Sequence, residues 1–250
     1  MTCCAHPPIV LFCDFGLPYT GQMKGRLLAD APEHRVIDLF HDVPAHDVRA
    51  GSVLLAAFSD DLPQGSVFVC VVDPGVGSAT RQPGAVFAGG RWFIGPLNGV
   101  FEHVLRRWPD DAKAYEITSV PETLSSTFHG RDLFAPEAAK VANGDRGGLS
   151  PLDLHALRHP EFCDDVAEII YADGFGNLMT GVRAATLGSD ETVDVMGRKL
   201  PRVRTFSDVE SGVIFCFENA VGLMEIAVNQ GNAQVILQIG PSTPIKVTKE

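Results

Sequence analysis

The sequence predicts an α/β domain built on a mostly parallel central sheet, followed by a smaller domain of all-β texture. Three observations carry this. Residues 9–13 (IVLFC) and 67–72 (VFVCVV) are short, continuous apolar runs bounded by turn residues, the pattern of strands buried on both faces of a parallel sheet. Helix-like stretches at 21–30 (GQMKGRLLAD) and 48–59 (VRAGSVLLAAFS) lie between them, giving the alternation of a layered α/β architecture. Beyond residue 145 the helical patterns give way to short strand candidates separated by turns.

Each element has its own local reason. The 48–59 stretch is apolar at Val53, Leu54, Ala57 and Phe58, one face of a helix. Residues 85–95 (AVFAGGRWFIG) read as two strands around a Gly-Gly turn. Leu97–Trp108 and Asp132–Asn143 read as further helices, the second stopped by Asn143-Gly144. Residues 145–165 carry turn formers with little periodicity. The division that follows is an α/β domain over 1–150, a linker over 151–165 and a β domain over 166–250. Strand candidates in the last are 166–171, 192–196, 213–217, 223–228 and 234–239, enough for a small barrel or sandwich.

Composition narrows the function classes. The chain has 250 residues, 45% hydrophobic and 20% charged, enough to bury a substantial core. Its formal net charge is −11 with no Lys/Arg block longer than a pair, which argues against nucleic acid or an anionic membrane surface as partner. No run of 18 apolar residues occurs, and no basic segment precedes the first apolar run, so a soluble cytoplasmic protein is expected. The six cysteines (Cys3, Cys4, Cys13, Cys70, Cys163, Cys216) include no C-x-x-C pair, and reduced thiols are expected rather than disulfides or a zinc site.

Several polar residues resist a purely structural account. Asp14 and Asp73 directly follow buried-strand runs, which places both at the carboxyl ends of strands, where open parallel sheets bind ligands. "SSTFHGRD", residues 125–132, sets His129 and Arg131 around a glycine, with Asp132 as a helix cap. "YADGFGNLMTG" sets Asp173 and Asn177 around two glycines at the start of the β region. Taken singly, each has an ordinary alternative as a turn or cap residue. "DPGVG" lacks the ending of a phosphate-binding loop, and "HDVPAHD" is broken by Pro44 before it could align His41 and His46 on a helix for a metal.

The segments "CDFG…YTGQMKG", "IDLFHDVPAHDVRAG", "VVDPGVG…R", "TFHGRDLFAP", "DGFGN" and "GLMEIAVNQGNA" occur in the order found in the S-adenosylmethionine hydroxide adenosyltransferases, or adenosine-forming S-adenosylmethionine hydrolases. The chain resembles this family, itself similar to bacterial fluorinase and chlorinase, from about residue 9 to residue 247. The resemblance implies a Rossmann-like N-terminal domain, a C-terminal β-barrel domain, and S-adenosylmethionine bound between them at a homotrimer interface. By resemblance Asp73, Arg81 and His129 hold and polarise a water, and Asp14 holds the ribose hydroxyls. Phe128 and Phe175 pack about the adenosine, Asp173 and Asn177 contact the methionine part, and the backbone at Asn232 and Ala233 reads the adenine edge. Asn219 is a candidate near the methionine carboxylate. The chain departs from the family pattern in lacking an Asp after Phe15-Gly16, and in carrying Leu97 and Ala220.

The implied chemistry asks for no metal or cofactor, because a sulfonium departs as a neutral thioether. The site has to place a nucleophile in line with C5′ and relieve it of a proton. A halide about 4 Å from Asp73 would be repelled by roughly 4 kcal/mol at an effective dielectric near 20, which favours water. Hydrolysis is therefore the expected activity. Halide-dependent cleavage and an adenosyl-binding module without turnover are the alternatives.

Overall fold

The computed structural model describes residues 6–249, which divide into two compact units between Phe162 and Cys163. The first unit runs β1 (Ile9–Cys13), α1 (Tyr19–Asp30), β2 (Val36–Phe40), α2 (Val48–Phe58), β3 (Val67–Val71), β4 (Pro83–Ala88), β5 (Arg91–Pro96), α3 (Glu102–Arg107), β6 (Lys113–Ile117), α4 (Ala135–Ala142) and β7 (Leu149–Leu152). Its sheet has the order β2-β1-β3-β5-β4-β6-β7. Every residue of β1 and β3 is buried, as continuous apolar runs require. Ile9, Leu11, Val67 and Val69 share a core with Met23 and Leu27 of α1 and Ala138 of α4. Each such side chain contributes on the order of 1.5–3 kcal/mol through burial.

The sheet is mixed rather than mostly parallel. Neighbours among β2, β1, β3 and β5 pair parallel, whereas β5–β4, β4–β6 and β6–β7 pair antiparallel. The reversal begins at Gly89 and Gly90, whose φ angles of 57° and 71° close the tight β4–β5 hairpin. A two-residue turn can join only antiparallel strands, since parallel neighbours need a crossover.

Two expected helices are shortened or altered at their starts. Residues 97–101 form turns, with Asn98 donating to the Val72 carbonyl at 2.9 Å, and α3 begins only at Glu102. The 132–143 segment opens as a π-helical turn, Gly130–Phe134, before α4. Pro136 has no N–H to return to the Asp132 carbonyl, and its ring crowds that carbonyl, so the preceding turn widens. The stretch 151–165, expected as a linker, is largely built into the first unit. Leu149–Leu152 adds an edge strand beside β6, Leu154–Leu157 is a 3-10 turn, and buried Glu102 holds Arg158 at 2.9 Å and the His159 N–H at 2.9 Å.

The second unit contains β8 (Val166–Ala172), β9 (Leu178–Arg183), β10 (Glu191–Val195), β11 (Arg198–Lys199), β12 (Ile214–Glu218), β13 (Leu223–Val228), α5 (Ala233–Leu237) and β14 (Ile245–Lys249). Two antiparallel sheets, β12-β13-β9-β8 and β11-β10-β14, share a core of Ile169, Leu178, Val193, Met224, Ile226 and Ile245. Isolated bridges, Glu168 with Pro244 and Arg202 with Cys216, link them. Among the described residues the sheets do not close into a barrel. The 234–239 segment, expected as a strand, is instead α5. The Asn232 side chain caps it by accepting the Val235 N–H at 2.8 Å, and Gln238 ends it in the left-handed region at φ 55°. Cys13, Cys70 and Cys216 are buried thiols and Cys163 is exposed, none of the four in a disulfide; Cys3 and Cys4 lie outside the described residues. No helix among the described residues is long and apolar enough to cross a membrane.

Candidate active site

In the first unit, Asp14 follows β1 and Asp73 stands two residues past β3. Those strands pair parallel with Cys13 beside Val71, so both acids stand at the carboxyl edge of adjacent strands. A cavity of about 290 Å³ opens there, lined by Asp14, Phe15, Ala45, His46, Val71, Asp73, Val76, Thr127, Phe128, His129 and Gly130. Phe128 packs edge-on against Phe15 and Tyr19, at centroid distances of 5.9 and 5.5 Å, which fixes one apolar wall. Arg131 crosses the Phe128 ring at 5.1 Å and pairs with Asp132 at 2.6 Å. Asp132 does not cap the helix; its carboxylate accepts the Ser125 N–H at 3.1 Å and steadies the loop that presents His129.

Arg81 joins Asp73 to His129. Its Nη2 lies 3.0 Å from Asp73 Oδ2 and also meets His129 Nδ1, while its guanidinium stacks over Phe134 at 5.3 Å. The Asp73 and Arg81 side chains are only 3% and 5% exposed. Burial pushes the Asp73 carboxyl above its ordinary value, opposed by Arg81 and the nearby Gly75 backbone, while Asp14 adds a small push upward. Burial and the Arg81 charge push His129 below its ordinary 6.5, against Asp132. A guanidinium has only donors, so Nδ1 of His129 is the acceptor in that contact and the ring proton sits on Nε2. Neither Asp73 oxygen receives a donor in full hydrogen-bond geometry, and Arg81 Nε likewise has no acceptor. Buried polar atoms free of protein hydrogen bonds can bind a polar ligand.

The second unit brings its own candidates together differently. Asp173 Oδ1 accepts the N–H groups of Phe175 and Asn177 at 2.9 and 2.8 Å, and Oδ2 accepts Asn177 Nδ2 at 3.0 Å. This turn leaves the Phe175 side chain on the surface, the residue being 80% exposed. Gly176, at φ 83°, lies against Asn232 so closely that a Cβ there would stand 2.2 Å from its amide carbon. Asn232 is occupied as the α5 cap, and Ala233 is buried. Asn219 Oδ1 accepts two hairpin N–H groups, from Val221 and Leu223, and Nδ2 donates to Glu225 at 2.9 Å.

Glu225 was not among the sequence-derived candidates. Burial pushes its carboxyl up, against the Asn219 hydrogen bond, and Asp173 adds to the rise. The signal available for it was a lone acid inside the apolar run LMEIAV. His46 carries a second unforeseen role, since its backbone N–H donates to Asp14 Oδ2 at 2.9 Å.

The SAM hydroxide adenosyltransferase N-terminal domain model matches residues 9–148, and the corresponding C-terminal domain model matches residues 167–246. The chain belongs to the SAM hydroxide adenosyltransferase family. Within that family it is 36% identical to an (R)-S-adenosyl-L-methionine hydrolase of Thermus thermophilus over 264 residues, covering 96% of this chain and 99% of the relative. A fluorinase of Nocardia brasiliensis is more distant, 25% identical with 97% of each chain covered. A crystal structure of a conserved protein from Thermotoga maritima superposes with a TM-score of 0.79 at 29% identity, over 96% of this chain and 100% of that one. In this member of the SAM hydroxide adenosyltransferases, Asp73 and Arg81 of one loop meet His129, 48 residues beyond Arg81, at the edge of one sheet.

Proposed function

We propose that this protein hydrolyses S-adenosyl-L-methionine to adenosine and L-methionine, with Asp73 accepting the proton of the attacking water and Arg81 and His129 holding the constellation in place. The overall reaction is the one named for its hydrolase relatives. The assignment of Asp73 is supported by its place at the cavity, its buried carboxylate raised by desolvation, and oxygens with acceptor capacity left beside the Arg81 ion pair for the O–H of a water. His129 carries its ring proton on Nε2, so it orients by donating rather than by taking the proton. The water oxygen forms a bond to C5′, the C5′–S bond breaks with its electron pair going to sulfur, and the water proton passes to Asp73. The products are adenosine and neutral-thioether methionine, with no metal or cofactor taking part.

Charge alone does not select water over halide here. The Arg81 guanidinium at 3.0 Å offsets much of the repulsion Asp73 would exert on an anion. The selection comes from the unsatisfied acceptor oxygens, since a halide has no proton to give them. Asp14 holds the ribose hydroxyls and Phe128 packs against the adenosine. Phe175, Asp173, Asn177, Asn219, Asn232 and Ala233 complete the substrate contacts through the loops they build. The active form is a cytoplasmic homotrimer with sites at subunit interfaces, a reading supported by family resemblance.

Incubation in 18O-labelled water tests the reaction, because the label should enter the 5′-hydroxyl of adenosine. Unlabelled adenosine would exclude direct attack at C5′. A chloroadenosine product appearing with added chloride would instead identify halide-dependent cleavage. Absence of any turnover would leave a binding module. Light scattering of active enzyme at the mass of a single chain would exclude the trimer.

A further inference from the structure

We propose that the backbone N–H of His46 is a positioning element for substrate binding: it holds one oxygen of Asp14 so that the other faces the cavity. The loop between β2 and α2 is tied down at three points. The Val43 N–H donates to the Cys13 carbonyl at 3.1 Å, at the very end of β1. Asp47 caps α2 by accepting the Ala50 N–H at 2.9 Å. Between them His46 sits at φ 65°, a left-handed conformation that costs a non-glycine residue free energy and persists only where its surroundings demand it.

The demand is visible in the geometry. In this conformation the His46 N–H points at Asp14 Oδ2, 2.9 Å away, while no protein donor among the described residues meets Oδ1. A carboxylate with one oxygen fixed presents the other in a single orientation. Both residues line the same cavity. The side chain at 46 is exposed, and the contact to Asp14 comes from the backbone. The residue type should therefore matter through the φ it tolerates and the N–H it retains, more than through the imidazole.

This inference rests on Asp14 binding the ribose, and the experiment separates the two. Asp14→Ala should raise KM with a smaller change in kcat; an unchanged KM would defeat the ribose assignment itself. Among loop variants, KM should rise least for His46→Gly, which keeps the N–H and adopts positive φ freely, more for His46→Ala, and most for His46→Pro, which lacks the N–H. The His46→Pro increase should be about tenfold, with kcat changed much less, the scale of losing a hydrogen bond to a charged group. In the Asp14→Ala background the same proline substitution should have little further effect. Equal effects of glycine and proline, or an undiminished proline effect without Asp14, would overturn the proposal. A readout that needs no loop variant is hydrogen exchange of the His46 amide. It should be at least about tenfold faster in Asp14→Ala than in the wild type, and equal rates would likewise overturn it.

Discussion

The candidate site residues of the two units differ in how their polar atoms are occupied. At the carboxyl edge of the first unit's sheet, Asp73 and Arg81 are nearly inaccessible yet keep polar atoms without hydrogen-bond partners. In the loops of the second unit, Asp173, Asn177, Asn219 and Asn232 are occupied by their own turns and caps. The Asp73 carboxylate is ion-paired with Arg81 yet keeps acceptor capacity for a ligand, whereas the Asp173 carboxylate is filled by its own turn and stabilises that loop. Chemistry is therefore expected from the first region and shape from the second.

The strongest way to break this contrast is Asp73→Asn, which keeps the volume and removes the base. Its kcat should fall by roughly 10²-fold or more, the scale of a general base, with KM little changed. Retained kcat, measured by adenosine release, would show that the unsatisfied acid is not the chemical one. Activity should also fall on the acid side of neutrality. Burial pushes the Asp73 carboxyl up and, with the Arg81 charge, pushes the His129 ring down, and protonation of either disables the site; a kcat that stayed level as pH falls from neutral into the acid range would contradict this.

A second comparison concerns two buried glutamates. Burial raises the Glu102 carboxyl, but hydrogen bonds from Arg158, the His159 N–H and Arg106 outweigh it and hold the group at about 2, below its ordinary 4.5. Its contribution to stability is thus fully present above pH 4.5 and is lost as pH falls toward 2. The partly exposed arginines are screened, so the loss should be on the order of 2 kcal/mol. Glu225 is shifted the other way, so its contribution is present below 4.5 and fades as pH rises. Both tryptophans, Trp92 and Trp108, lie in the first unit. Denaturation followed by tryptophan fluorescence should show acid destabilisation that Glu102→Gln flattens, and an unchanged slope in that variant would refute the assignment.

Smaller effects sharpen the contrast further. Asp14→Asn should raise KM about tenfold and spare kcat, because a ribose hydrogen bond is present in ground and transition states alike. Asp173→Ala should lower stability by about 1–2 kcal/mol through the loss of its turn, read as a lower Tm. If Asp173→Ala instead raised KM with Tm unchanged, Asp173 would be a direct ligand rather than a loop builder.

Legibility in the sequence followed the range of the interactions. The buried strands β1 and β3 were evident because five or six consecutive apolar residues tolerate few other structures, and Asp14 and Asp73 could be placed at strand ends for the same local reason. Residues 36–40, 113–117, 178–183 and 245–249 gave no such signal. They are shorter of apolar residues or partly exposed, and pairing with neighbours makes them strands.

By itself the sequence determined the alternation of an α/β unit with a β unit, the family motifs, and which acids end strands. All of these depend on residue type over a few positions. Tertiary structure alone decided that β6 and β7 continue the sheet as antiparallel strands beside the hairpin, and that residues 151–165 belong largely to the first unit. It also decided that Arg81 bridges Asp73 and His129, 48 residues from the latter in sequence, and that His46 gives its N–H to Asp14. Those outcomes hinge on burial and on hydrogen bonds between distant segments. Such bonds form only once the chain has folded, and no local pattern encodes them.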